Sequence, residues 1–436
     1  MSAGRPAALQ ADPAHARAHD ALARGERTLL VVGGAGTGKT TFLNALRRTE
    51  GDKVVRQVFL APTGVAALQL GGQTIHSFFG IPPRLFNPDE VKPRPHVRRL
   101  LKKLDRVVID EISMVRSDLV DAIDISLRTA RNSREPFGGV QMVLVGDFLQ
   151  LPPVVPRAEE EMLGRMGYAG PFAFHAKALA DLPVSVAPFA TVHRQSERDF
   201  IAMLDAIRRG VGAREAAEAL NAACVRDHRP GAQPVLLTPT NARAEAYNAA
   251  GLDALPGSAR EYAGDLKGDF GLDGDRLPVN DRLLLKPGAR VMALRNDPAR
   301  RWVNGSVGTV LSLDAKSATV RLDTGGLADI EAHTWERIRY GWDDASERIE
   351  ADVVGTYTQL PLAPAWALTM HKAQGLTLDD VRIDLGNGAF APGQAYVALS
   401  RARSLAGLSL VRPIRGSDVR VDREVAAFMA ACEGAG

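Results

Sequence analysis

Thr28-Leu29-Leu30-Val31-Val32-Gly33-Gly34-Ala35-Gly36-Thr37-Gly38-Lys39-Thr40-Thr41 reads as an apolar β-prone run, a glycine loop and the start of a helical pattern that continues to Arg48. Strand, loop and helix in this order predict a phosphate-binding turn. The glycines at 34, 36 and 38 let the backbone N–H groups around Ala35 and Thr37 turn inward on phosphate oxygens, and the helix N-terminus adds the positive end of its dipole. Lys39 is expected to pair with those phosphates. Thr40 offers a hydroxyl to Mg²⁺, a hard cation that takes oxygen donors. Upstream, Asp12-Pro13, the stretch 14–24 and Gly25 carry the N-cap, first-turn proline and C-terminal glycine of a short helix.

Two further apolar runs end in chemistry-bearing residues. Val107-Val108-Ile109 leads into Asp110-Glu111, and Val140 to Val145 leads into Gly146-Asp147-Phe148-Leu149-Gln150. Continuous apolar runs of this length suit strands buried on both faces of a parallel sheet, where ligands gather at the strand ends. In company with a phosphate loop, Asp110 is expected to hold Mg²⁺ and Glu111 to orient and deprotonate the attacking water. Gln150 is either a sensor of the terminal phosphate or a loop amide bonded to its own turn.

The 436 residues suffice for two to four domains. No apolar run approaches bilayer length and the N-terminus lacks the pattern of a secretion signal, so the cytoplasm is the expected location, on the nucleoid in a bacterium, with no membrane partner. Cys224 and Cys432 stand far apart with no metal-ligand spacing, which excludes a disulfide framework or zinc site. A net charge of +3 and a pI near 8.9 are compatible with a polyanionic partner without requiring one. Of the 54 basic residues only ten are Lys, a bias that genomic base composition explains equally well. The run Arg98 to Lys103 suits an exposed helix face.

Between the second and third strands come Ile112-Ser113-Met114, a helical stretch near Asp118 to Arg131, and Pro136-Phe137-Gly138-Gly139-Val140-Gln141. Together with Ala61-Pro62-Thr63-Gly64, Gly72 to Phe78, His193-Arg194-Gln195, Trp366 to Gln374 and Ala395 to Arg401, this resembles the Pif-one (petite integration frequency) DNA helicases, in the superfamily-one branch that also holds RecD-like and Dda-like enzymes. The resemblance covers nearly the whole chain. It implies an α/β fold of two RecA-like P-loop domains with parallel sheets, ATP between them and single-stranded DNA across their tops, with a small Src-homology-like β-barrel inserted in the second. The implied boundaries are 1–185 for the first motor domain, with a wedge-type insertion at about 79–100, then 186–282 and 360–436 for the second and 283–359 for the barrel. Short β-prone runs at 290–294, 308–311 and 319–322, separated by Gly and Asn turns, agree with such an insertion. So do the strand-helix pairs at 235–238 with 241–250 and at 381–385 with 393–402.

The resemblance also implies residue roles. Arg194 and Arg401 match the first and second arginine fingers, catalytic beside Lys39, Glu111 and Gln150. Thr41 and Gly375 join Gly34 to Thr40 around ATP. Thr63, His76, Phe78, Thr240, Asn241, His371 and Lys372 lie along the DNA path, although Phe78 is equally a core residue and His371 a helix-end histidine. One departure stands out. The family's adenine-gripping glutamine falls, by counting, on His15, with Gln10 slightly earlier; either Gln10 serves or base recognition is altered. The expected activity is Mg-ATP hydrolysis coupled to 5′→3′ translocation on single-stranded DNA and unwinding of tailed or forked duplex, performed by a monomer. The alternative is a nucleotide-switched nucleic-acid-binding ATPase that does not unwind. A small-molecule phosphotransferase leaves Arg194, Arg401 and the second α/β domain without a purpose.

Overall fold

The computed structural model describes residues 12–48, 55–82, 85, 91–180, 182–227, 233–270, 277–297, 299, 301–343, 348–370 and 372–434. The chain is an α/β protein that divides into two compact units. The first comprises residues 1–193, 337–354 and 423–436, the second residues 194–336 and 355–422.

In the first unit, strands β1 (Thr28–Val32), β2 (Gln57–Ala61), β3 (Gln73–Thr74), β4 (Arg106–Ile109), β5 (Gln141–Gly146) and β6 (Ser185–Pro188) form one sheet in the order β3-β2-β4-β5-β1-β6. Every adjacent pair runs parallel. All five residues of β1 are buried, as its unbroken apolar pattern requires of a central parallel strand. Helix α1 (Pro13–Ala23) starts where Asp12 Oδ1 accepts the Ala14 N–H at 2.9 Å, with Pro13 in the first turn. Its face of Ala14, Ala18, Ala21 and Leu22 packs with Phe42, Leu43 and Leu46 of α2 (Lys39–Arg48) against Leu29, Val31 and Val143 of the sheet. Each large side chain in that cluster contributes about 1.5–3 kcal/mol by leaving water. The basic run 98–103 lies on a helix, Pro95–Lys103, that buries Val97, Leu100 and Leu101 and leaves Arg98 and Arg99 exposed.

The second unit holds a four-stranded parallel sheet, in the order Ala367–Thr369, Val235–Thr238, Val381–Ile383, Leu408–Leu410. It also holds a five-stranded antiparallel sheet, Leu327–Glu331, Ser317–Leu322, Val307–Leu313, Arg290–Ala293 and Leu362–Pro364. The antiparallel sheet encloses Val291, Val310, Val320, Ile330 and Leu362. Strand alternation in Ser317–Leu322 shows the period of two that one buried face imposes. Among the described residues no helix is long and apolar enough to cross a membrane. Both cysteines are buried, and burial pushes each thiol up to about 11, which leaves them unreactive.

Candidate nucleotide and nucleic-acid sites

In the first sheet β4, β5 and β1 are consecutive neighbours, so the turns at their carboxyl ends stand about 5 Å apart in sequence of strands. Those turns are Asp110-Glu111, Asp147 to Gln150 and the glycine loop. The topology therefore gathers three segments that lie far apart in the chain.

The loop is shaped for a ligand with closely spaced acceptors. Gly38 adopts φ +88°, where a side chain would be strained, and a Cβ on Gly33 would sit 2.4 Å from the Phe189 carbonyl. Lys39 Nζ donates to the carbonyls of Gly33 and Gly34 at 2.7 and 2.8 Å, and Thr37 Oγ1 donates to Gly34 O at 3.0 Å. Thr40 and Thr41 are exposed at the start of α2, and Gly34, Ala35 and Gly36 complete the turn before it. The ammonium thus occupies the mouth of the loop, bonded to carbonyl oxygens that a phosphate would displace.

Asp110 Oδ1 accepts the Glu111 N–H at 2.9 Å. Burial and then the like charge of Glu111 push the Asp110 carboxyl up to about 7, against the Glu111 backbone bond and the positive charge of Lys39. Glu111 sits at φ 52°, ψ 46°. That left-handed conformation costs a non-glycine residue about 1–3 kcal/mol and concentrates at functional positions. Gln150 is buried, its Nε2 donating to Asp147 Oδ2 at 3.3 Å while Asp147 Oδ1 accepts the Leu149 N–H at 3.2 Å.

The outer strands of the same edge carry the nucleic-acid candidates. Thr63 follows β2, exposed, and caps the helix Gly64–Leu70 by accepting the Ala66 N–H at 3.2 Å. His76 follows β3, half-buried, and burial, then nearby Arg116, hold its imidazole below the usual range against Asp118. Phe78 is 3% exposed and packs edge-on against Phe79 and Tyr340, a core position. In the second unit Thr240 and Asn241 are exposed at the end of Val235–Thr238, and Lys372 is exposed after Ala367–Thr369, the neighbouring strand. His371 and Gln10 lie outside the described residues.

The second unit also brings Arg194, Gly375 and Arg401 together. Arg194 donates to Ser400 O at 3.1 Å and to Gly375 O at 3.2 Å. Arg401 is 1% exposed, with Nε on Val397 O at 2.8 Å, Nη1 on the carbonyls of Ala373 and Leu376 at 3.3 Å and Nη2 on Ser400 Oγ at 2.8 Å. Sequence reasoning passed over Gln195, whose Nε2 bonds Ser400 O at 3.3 Å and Ala402 O at 2.9 Å and so holds the Arg194 segment against the turn of Arg401. A buried amide beside an arginine leaves no periodic signal. Asp147, which fixes the Gln150 turn, was legible only as part of that turn.

His15 lies on α1 beside the glycine loop, its Nε2 3.0 Å from where a Cβ of Gly38 would stand. The ring stacks on Phe189 at 4.4 Å and is 4% exposed, yet neither nitrogen has a hydrogen-bond partner. Burial holds the imidazole below the usual range, opposed by Asp12 and assisted by His193. It is therefore neutral at pH 7, with one donor and one acceptor.

A parallel sheet that opens its glycine loop after one strand and sets paired carboxylates after a near neighbour defines a P-loop nucleotide-binding protein. A family model described as PIF1-like helicase matches residues 14–216. The chain is 34% identical over 417 residues to the ATP-dependent DNA helicase Pif1 of Bdellovibrio bacteriovorus, covering 92% of this chain and 88% of that one. It is 36% identical over 397 residues to human ATP-dependent DNA helicase PIF1, covering 88% of this chain and 58% of the human protein. The crystal structure of Bacteroides sp Pif1 in complex with ADP-AlF4 is similar with a TM-score of 0.87 at 35% identity, covering 98% of this chain and 97% of that one. The chain belongs to the PIF1-like helicase family.

Proposed function

We propose that this chain is an ATP-driven DNA helicase, built from two RecA-like motor domains, that moves 5′→3′ along single-stranded DNA and opens tailed or forked duplex. The observation that carries the reading is the single sheet edge on which the glycine loop, Asp110-Glu111 and Gln150 follow the inner strands while Thr63 and His76 follow the outer ones. A motor must link a change at the terminal phosphate to a grip on the strand, and one rigid edge bearing both sets of residues is the shortest such link. The motor domains follow 1–185 and 186–282 with 360–436, except that the helix Arg423–Gly434 packs with the first unit. The antiparallel sheet, whose strands run from Arg290–Ala293 to Leu327–Glu331 and close on Leu362–Pro364, is the Src-homology-like insertion. The working form is a monomer.

In this reading the N–H groups from Gly34 to Thr41, Gly375 and Lys39 bind the nucleotide, and Glu111 takes the proton of the attacking water. Gln150 senses the terminal phosphate, and Arg194 and Arg401 supply positive charge as negative charge develops. Arg194 suits that role because its partners are carbonyl oxygens, which satisfy its donors without cancelling its charge. Mg²⁺ fits the donors present: Thr40 contributes a neutral oxygen, and Asp110, destabilised by burial and by Glu111, is the carboxylate that a divalent cation relieves. Among the described residues no group of three or more His, Cys, Asp or Glu side chains forms a metal site by itself, so the cation depends on nucleotide oxygens and water for its other ligands. When bound it neutralises phosphate charge.

Backbone grip and base stacking serve a motor that must accept any sequence. Thr63, His76, Thr240, Asn241, His371 and Lys372 supply the grip, with Phe78 supporting the His76 helix. The deciding experiment is strand displacement with tailed duplexes. A 5′-tailed substrate is expected to be unwound with ATP and a 3′-tailed one not; hydrolysis without displacement on either identifies a non-unwinding ATPase.

Base selectivity follows from His15. A glutamine amide both donates and accepts in one plane, matching the two adjacent groups on the edge of adenine, whereas a neutral imidazole matches one of them. Losing one neutral hydrogen bond is worth about threefold to tenfold in affinity. The expected kcat/KM for ATP therefore exceeds that for GTP by less than about tenfold, and His15→Gln widens the ratio by about the same factor. Steady-state hydrolysis of both nucleotides measures it, and a wild-type preference in the hundreds rules out this role for His15.

A further inference from the structure

The C-terminal helix Arg423–Gly434 belongs to the first unit although every strand of that unit's sheet precedes residue 189. Its apolar residues Val425, Met429 and Cys432 recur at helical spacing and are buried. On the same face Phe428 stacks on Phe174, with centroids 4.3 Å apart and planes at 16°, and meets Phe148 edge-on at 5.3 Å and 85°. Phe148 also contacts Phe174 at 5.3 Å, so the three rings close on one another. One turn earlier Glu424 Oε1 lies 2.7 Å from His175 Nε2, which ties the helix to the segment that carries Phe174.

Phe148 is two residues from Gln150, and the turn between them is held by Gln150 N–H on Asp147 O at 3.0 Å and by the Asp147 side chain. A ring that is 4% exposed and wedged between two others fixes where that turn can lie. We propose that Phe428 is a positioning residue for nucleotide hydrolysis: through Phe148 the C-terminal helix sets the position from which Gln150 meets the terminal phosphate. The proposal rests on the reading of Gln150 given above. Aromatic pairs add specific geometry beyond apolar burial, so a flexible replacement loosens the turn without emptying the phosphate loop.

The test is a double-mutant cycle in the full chain, read as DNA-stimulated phosphate release. Phe428→Ala is expected to lower kcat by about threefold to tenfold while the KM for ATP changes by less than about twofold, because the lost contact bears on the turn and not on the loop. Gln150→Ala lowers kcat further, and adding Phe428→Ala to it is expected to cost nothing more. A merely structural Phe428 lowers the melting temperature and multiplies its effect with that of Gln150→Ala, and that result overturns the proposal. Should Phe428→Ala fail to fold, the same cycle is run with Phe428→Leu, which keeps apolar volume but loses the ring edge and is expected to show the same non-additivity. A Gln150→Ala enzyme with wild-type turnover overturns the proposal too, yet leaves the helicase reading intact if hydrolysis still requires Lys39.

Discussion

Lys39→Ala is expected to lower DNA-stimulated phosphate release by roughly 10²–10³-fold or more, the scale set by removing one preorganised charge-stabilising donor from an active site. In the structure the ammonium already spans the mouth of the loop, bonded to the carbonyls of Gly33 and Gly34. It needs only to exchange those oxygens for phosphate oxygens when a nucleotide enters. Alanine keeps the helical start of α2 and frees the carbonyls of buried Gly33 and half-buried Gly34 at a loop open enough to admit a nucleotide, so the fold is expected to survive with a melting temperature within a few degrees of wild type. Circular dichroism melting and phosphate release with and without single-stranded DNA check both halves. A variant that hydrolyses ATP at the wild-type rate removes the glycine loop from the mechanism, and with it the motor.

Strands β1, β4 and β5 of the first sheet and Val235–Thr238 of the second unit were legible because their apolar runs are buried and unbroken, whereas β2, the two polar residues of β3 and the half-buried β6 were not read as strands. Thr28–Val32 and Val235–Thr238 are bounded as their apolar runs predict, and β4 and β5 differ from expectation by one residue at each shifted end. Helix ends were less legible where tertiary packing decides them. The stretch expected as helix over 393–402 is helical only over Gln394–Leu399, because Ser400 to Ala402 turn away to bond Gln195 and Leu378. Hydrophobic period also could not foretell that residues 337–354 and 423–436 join the first unit. Both segments are distant in sequence, and their partners are chosen by surfaces that no local pattern describes.

Site chemistry divides along the same line. Gly34 to Lys39, Asp110 and Glu111 stand at ends of strands that announce themselves, whereas Gln150, Arg194 and Arg401 are set in place by side-chain hydrogen bonds to Asp147, to the Ser400 and Gly375 carbonyls and to the carbonyls of Val397, Ala373 and Leu376, contacts that no local pattern announces. Phe78 shows the limit of motif reading from the other side. An aromatic residue beside a histidine suggests base stacking, and its burial against Phe79 and Tyr340 makes it a support for the His76 helix.

Arg401→Ala is expected to keep nucleotide affinity within a few-fold and to lose roughly 10³–10⁵ in turnover, the range for an arginine that neutralises charge in phosphoryl transfer. Its burial demands a control. The guanidinium satisfies the carbonyls of Val397, Ala373 and Leu376, and a buried acceptor left without its partner costs about 1–3 kcal/mol. Destabilisation alone lowers turnover and binding together, by reducing the fraction of folded protein, whereas loss of a transition-state contact spares binding. Arg401→Lys separates the two further. It retains a positive charge but not the planar fork, so it restores part of the stability and little of the turnover. Fluorescent-nucleotide titration and phosphate release, both at a temperature where melting curves show each variant folded, give the comparison. Equal losses in binding and turnover mark Arg401 as a structural cation of the second unit and leave Arg194, bonded to the adjacent Ser400 carbonyl, as the residue that meets the phosphate.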